Sequence, residues 1–175
     1  MPKKPALTKT LIGPSGEHFV LSRLYQQGLL AALAPPGTPI VDVLVLSPDG
    51  KTIAATLQVK TSTGGAKTGW RFDQKHERIV EDRLFYALVD FKASPVVTYV
   101  LPSEVVAEVL RKAHRAWLAA AARAGKTVKN WNSRWVKRAY AFPVRGYPDG
   151  WLDAWAEKWD LIVGEVKGAG QGSVQ

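Results

Sequence analysis

The stretch that most constrains this chain runs from Ile40 to Ser62. Two apolar, β-branched runs, I-V-D-V-L-V-L and T-I-A-A-T-L-Q-V-K-T-S, flank S-P-D-G-K, the pattern of a β-hairpin. Pro48 suits the first central position of a type I turn and Gly50 the left-handed position after it. This predicts a three-residue loop, Pro48 to Gly50, with Ser47 paired to Lys51 and Asp42 opposite Thr56. In that register Asp42, Gln58 and Lys60 share one face, because directly paired residues and residues two apart on a strand point the same way. A four-residue loop would send Asp42 to the other face.

A carboxylate, an amide carbonyl and an ammonium gathered on one face suit a hard divalent cation and a phosphate. Asp42 and the Gln58 carbonyl are oxygen ligands of the kind magnesium takes. Lys60 is placed to orient an attacking water or to stabilise charge on phosphoryl oxygens. The plain alternative is a hairpin whose polar residues face solvent.

On these residues the chain resembles the PD-(D/E)XK nuclease superfamily, in its variant with Gln in place of the second acid. Glu17 on a helix, Asp42 on a strand and Gln58-Val59-Lys60 on its hairpin partner carry the resemblance, which spans roughly residues 13 to 101. It implies a restriction-endonuclease-like α/β core with a mixed central β-sheet flanked by helices, and a Mg2+-dependent (or Mn2+-dependent) endonuclease acting on nucleic acid, in most such families DNA. It also implies Glu17, Asp42 and Gln58 as metal ligands, with Lys60 assisting the water. The pattern departs from the family where Val41 precedes Asp42, with Pro39 one place too far back, and where Gln58 removes a negative charge.

Charge points the same way by a separate route. The net charge is +9, yet residues 109 to 148 hold ten Lys or Arg and no acid, so the rest of the chain nets −1. A field concentrated like this attracts polyanions, nucleic acid above all. Within it Lys126, Lys129, Arg134, Lys137 and Arg138 interleave with Trp131, Trp135 and Tyr140. The basic side chains read as phosphate contacts and the Trp residues as inward packing. Lys67, in the Gly/Thr/Ser-rich loop after the hairpin, joins the candidate nucleic-acid contacts. The absence of Cys excludes disulfides and thiolate metal sites. No apolar run reaches the ~20 residues of a membrane span and no secretory signal is visible, so the expected location is cytoplasmic.

Along the chain, residues 1–12 read as a basic tail. Ser15 caps a helix to about Leu33 that carries Glu17 on the stripe of Val20, Leu21 and Leu24, with His18 on its surface. Trp70 to Phe72 form a third strand and residues 73–82 a surface helix, in which His76 has no partner at zinc-ligand spacing. Leu84 to Phe91 is a strand covered on both faces, reached by a crossover, and Val96 to Leu101 another. Ser103 caps a helix to Ala124. Residues 109–148 form a basic helical segment, and residues 149–163 a last helix with Trp151, Trp155 and Trp159 on one stripe, together a C-terminal helical extension. One nuclease-like domain thus covers 13–167, before a disordered tail at 168–175. A homodimer is expected if both strands of a duplex are cut. The rival functions are a catalytically inactive nucleic-acid-binding module of the same fold and a basic protein-interaction domain.

Overall fold

The computed structural model describes residues 8–65, 68–129 and 132–171. Its centre is a five-stranded mixed sheet built around β3 (Ile53–Ser62), with β2 (Val43–Leu46) and the short β1 (Ala31–Leu33) on one side, and β5 (Leu84–Asp90) and β6 (Val97–Pro102) on the other. β3 and β5 are parallel, and the remaining neighbours antiparallel. Every residue of β5 is buried, as its unbroken apolar run requires of a strand covered on both faces.

Helix α1 (Lys9–Gln26) and helix α3 (Asp160–Gln171) cover one face, where Val20, Leu24, Trp159 and Ile162 meet Val43, Leu57, Val59 and Phe85. The other face carries helix α2 (Ser103–Arg123) and a two-stranded ribbon of β4 (Trp70–Asp73) and β7 (Ser133–Val136), packed through Val106, Leu110, Phe72 and Val136 onto Tyr86, Leu88 and Leu101. Full burial of one such Leu is worth about 1.5–3 kcal/mol, so two cores of this size hold the sheet from both sides. No helix among the described residues is long and apolar enough to cross a membrane.

Several elements differ from expectation. α1 starts at Lys9 within the expected 1–12 tail, and Ser15 lies inside it, its hydroxyl donating to the Leu11 carbonyl. The helix stops at Gln26, because Gly28 takes a left-handed φ of 74° and the Leu29 N–H closes back on the Leu24 carbonyl. The Leu/Ala run beyond it becomes the edge strand β1 rather than a further helical turn. β4 belongs to the ribbon, not to the main sheet. The surface helix at 73–82 shrinks to a 3-10 turn, Gln74–Glu77. The basic segment is helical only as far as Arg123, and β7 follows.

The expected Trp stripe breaks in two. A 3-10 turn (Trp151–Trp155) joins the α2-side core, and Trp159 joins the other. Between them Glu157 has a φ of 53° and accepts from the Thr98 N–H, the Trp159 indole N–H and Arg23. α3 extends through residues 168–171 of the expected tail. Residues 1–7 and 172–175 lie outside the described residues.

Candidate active site

The register that places Asp42 is reached by two departures that cancel. The Ser47 N–H donates to the Thr52 carbonyl, so the loop has four residues, Pro48 to Lys51, not three. Alone this would turn Asp42 to the face opposite Gln58. A β-bulge intervenes, however, because Leu46 pairs with Ile53 while Val45 pairs with Ala55, which leaves Ala54 as the extra residue. Val43 then stands beside Leu57, two residues from the expected register. The parity, carried one residue beyond the ladder, again assigns Asp42 to the face of Gln58 and Lys60.

Asp42 precedes the strand rather than lying in it. Its N–H donates to the Leu57 carbonyl (2.8 Å), and its carboxylate accepts the Val59 N–H (2.7 Å), taking over from the backbone where β2 leaves the ladder. Ile40, two residues earlier, has a φ of 67°, a strained conformation for a β-branched residue. Such strain collects where surrounding structure over-determines the chain, often at functional sites.

Glu17 comes from the other layer. A Cβ on Gly16 would clash with the Thr61 side chain, so glycine there lets α1 lie against the C-terminal half of β3. Glu17 is thereby brought close enough to Asp42 for the two charges to interact. Burial, then the Asp42 charge, raises the Glu17 pKa above the ordinary carboxylate range, against a smaller pull from His18. Burial likewise raises Asp42, opposed by the Val59 N–H and Lys60. Burial pushes the Lys60 ammonium down, against Asp42 and Asp73, with Lys75 adding to the depression. Among the described residues neither Glu17 nor Lys60 is part of an ion pair, and Lys60 Nζ lies 5.7 Å from the centre of the Phe72 ring.

Gln58 is buried, and the end of its amide lies 2.9 Å from His76 Nε2. The sequence alone puts His76 in a polar surface stretch. In the structure it is 2% exposed, with its other ring nitrogen on the Asp73 carbonyl. The single signal for its burial is the alternation of Trp70 and Phe72 just before it.

Two half-buried carboxylates and an amide, with an ammonium beside them, form a set of oxygens that a divalent cation would satisfy, since the ion offsets the like charge that Asp42 presents to Glu17. Among the described residues no group of three or more His, Cys, Asp or Glu could hold a metal ion, so a cation here would need the amide oxygen of Gln58 beside the two carboxylates. On chemistry alone, Asp42, Gln58 and Glu17 fit an oxygen-loving ion of the Mg2+ class.

The basic segment divides into three kinds of residue. Lys126 and Lys129 are accessible, and Lys137 lies over the Trp135 ring. Arg138 is accessible but donates two hydrogen bonds to Asp153. Arg134 is 3% exposed and bound to Glu77, so it is a buried structural partner and not a nucleic-acid contact. Lys67 and Trp131 lie outside the described residues. Beside Lys129 and Lys137 lies a largely apolar cavity of about 540 Å³, walled by Trp117, Trp135 and Phe142. Trp135 is 39% exposed, so its ring is not packed inward as expected.

No family model matches this sequence, and no curated protein matches it. Among solved structures, a bacterial homing endonuclease, I-Ssp6803I, matches 96% of this chain and 100% of its own, with a TM-score of 0.54 and 15% sequence identity. At that identity the likeness is one of fold, and the mixed five-stranded sheet flanked by helices is a nuclease-like α/β architecture that this chain shares with that endonuclease.

Proposed function

We propose that this protein is a metal-dependent nuclease of PD-(D/E)XK type that hydrolyses phosphodiester bonds of nucleic acid, with DNA as its substrate. The observation that carries the reading is the β2–β3 register that puts Asp42, its carboxylate on the Val59 N–H, on the strand face of Gln58 and Lys60, with Glu17 brought beside it by α1, in a fold shared with a homing endonuclease. Asp42 and Gln58 would hold Mg2+ or Mn2+, and Glu17 the ion or one of its waters. When bound, the ion supplies Lewis-acid polarisation of the phosphoryl oxygen and a more acidic water. Lys60 holds that water in line with phosphorus and steadies charge on the phosphoryl oxygens. The attacking water gives up a proton to solvent as its oxygen forms the new P–O bond, the ester P–O bond breaks, and the leaving alkoxide takes a proton back from solvent. Lys126, Lys129 and Lys137 supply phosphate contacts.

Purified protein with Mg2+ or Mn2+ is expected to cut at least one of linear, supercoiled, branched or single-stranded DNA, and a chelator to stop it. Asp42→Ala abolishes cutting through loss of a ligand, whereas Lys60→Ala abolishes it with metal binding retained. Gln58→Glu tightens metal binding by restoring an acid.

The second reading, an inert binding module of the same fold, is favoured by Gln58 itself. It would be adopted if neither the parent nor Gln58→Glu cut any substrate on that panel. A basic protein-docking domain is less well supported, since Arg134 and Arg138 engage acids of this same chain. Cutting both strands of a duplex further calls for a two-fold pair, which sedimentation with and without DNA would detect.

A further inference from the structure

His76 belongs to no motif, yet its ring is held on every side. Phe72 and Tyr86 pack against it edge-on, with centroids 5.3 and 6.0 Å away. Its Nδ1 lies 3.1 Å from the Asp73 carbonyl. A carbonyl only accepts, so Nδ1 must carry hydrogen, and in the neutral ring Nε2 is then a lone pair. At 2% exposed and packed against Phe72 and Tyr86, the ring lies in apolar surroundings that favour its neutral form.

The amide end 2.9 Å from that lone pair is placed as Gln58 Oε1. Two acceptors cannot share a hydrogen bond, whereas the oxygen and nitrogen of an amide have nearly the same outline, so the neighbouring chemistry decides which is which. With a neutral ring the NH2 end is the one that faces His76, and the carbonyl oxygen then turns away from the imidazole.

We propose that His76 is the positioning residue of the site, holding the Gln58 amide by its NH2 so that only the carbonyl oxygen is offered to a cation beside Asp42. A glutamate needs no such partner, because both its oxygens accept. A glutamine has a wrong end, and an NH2 turned towards the ion would repel it. His76 is thus the device that makes glutamine serviceable where an acid is commoner. The inference rests on the metal reading above, in which Asp42 and Gln58 hold the ion.

Two measurements on the full chain test it. Long-range 1H–15N correlation of the histidine rings in the parent protein is expected to show, for His76, hydrogen on Nδ1 and none on Nε2. A ring protonated at Nε2, alone or together with Nδ1, overturns the inference. Calorimetric titration with Ca2+ or Mn2+ is then compared among the parent, His76→Phe, Gln58→Glu and the double variant. Phenylalanine keeps the ring packing but removes the lone pair, so affinity is expected to fall roughly tenfold or more in the parent background. In the Gln58→Glu background the fall is expected to be much smaller, because a carboxylate has no wrong end. Equal loss in both backgrounds, or none in the parent background, overturns the inference alone. A parent that binds neither ion, with Asp42→Ala no different, overturns the metal reading and this inference together. Should His76→Phe not fold, the ring-nitrogen shifts decide.

Discussion

The Asp42 end of β3 and the segment from Lys126 to Arg138 are both rich in charge, and they treat it in opposite ways. At the first, Glu17, Asp42 and Lys60 are half-buried and close, yet none of them is spent in an ion pair among the described residues. At the second, a run without one acid in sequence meets its acids in space, Arg134 with Glu77 and Arg138 with Asp153. A count of charges along the chain therefore overstates the basic segment. The parity of a sheet, by contrast, brings together charges that no local count would associate. Unpaired charge in a half-buried place costs stability and is the stronger pointer to a ligand.

The largest effect expected from this contrast is on folding. Arg134→Ala leaves the largely buried Glu77 without its cation and is expected to cost about 3–5 kcal/mol, measured by urea denaturation. A loss below about 1 kcal/mol, the size of a surface pair, would return Arg134 to the surface and to the nucleic-acid interface.

Glu157 gives the next effect, since it ties α1 and β6 to Trp159, the residue before α3. Burial by itself would raise its pKa, but the Thr98 N–H, the Trp159 indole and Arg23 together hold it below the ordinary carboxylate range. A carboxyl with a depressed folded-state pKa contributes stability above its unfolded pKa and loses it as pH falls through the folded value. Glu157→Gln is expected to cost about 1–2 kcal/mol at neutral pH and to make the acid limb of a Tm-versus-pH curve shallower. An unchanged limb would show that the clasp does not respond to protonation.

Replacing Lys126, Lys129 and Lys137 by Gln sharpens the comparison from the other side. DNA affinity is expected to fall, and the log–log salt slope to flatten by about 0.9 for each phosphate no longer neutralised, with the Tm unchanged. Arg138→Gln, already engaged by Asp153, is expected to change the slope less than Lys129→Gln. An equal change would mean that DNA displaces Asp153.

The smallest change in stability other than none belongs to the site itself. Asp42→Asn removes a desolvated charge that repels Glu17 while keeping an oxygen for the Val59 N–H. It is expected to stabilise the metal-free protein by about 0.5–1 kcal/mol while abolishing metal-dependent cutting. A destabilised Asp42→Asn would mean that the carboxylate serves the fold rather than a ligand.

The amino-acid sequence by itself determined the central elements. The doubly buried β5, the crossover between parallel strands, the hairpin of β2 and β3, and Glu17 on the stripe of Val20 and Leu24 all follow from apolar period and turn chemistry, which are local properties. Tertiary structure decided what depends on distant partners. The bulge at Ala54 that offsets the longer turn is set by how β2 meets both of its neighbours, and Pro-Asp-Gly carries no mark of it. Arg134 became a core residue because β7 pairs with β4 and brings it to Glu77, 57 positions away. His76 met Gln58 because the ribbon folds over the sheet. Hydrogen bonds and ion pairs between residues far apart leave no period in the chain, so only the folded protein shows that Gln58 has a partner and Arg134 is already bound.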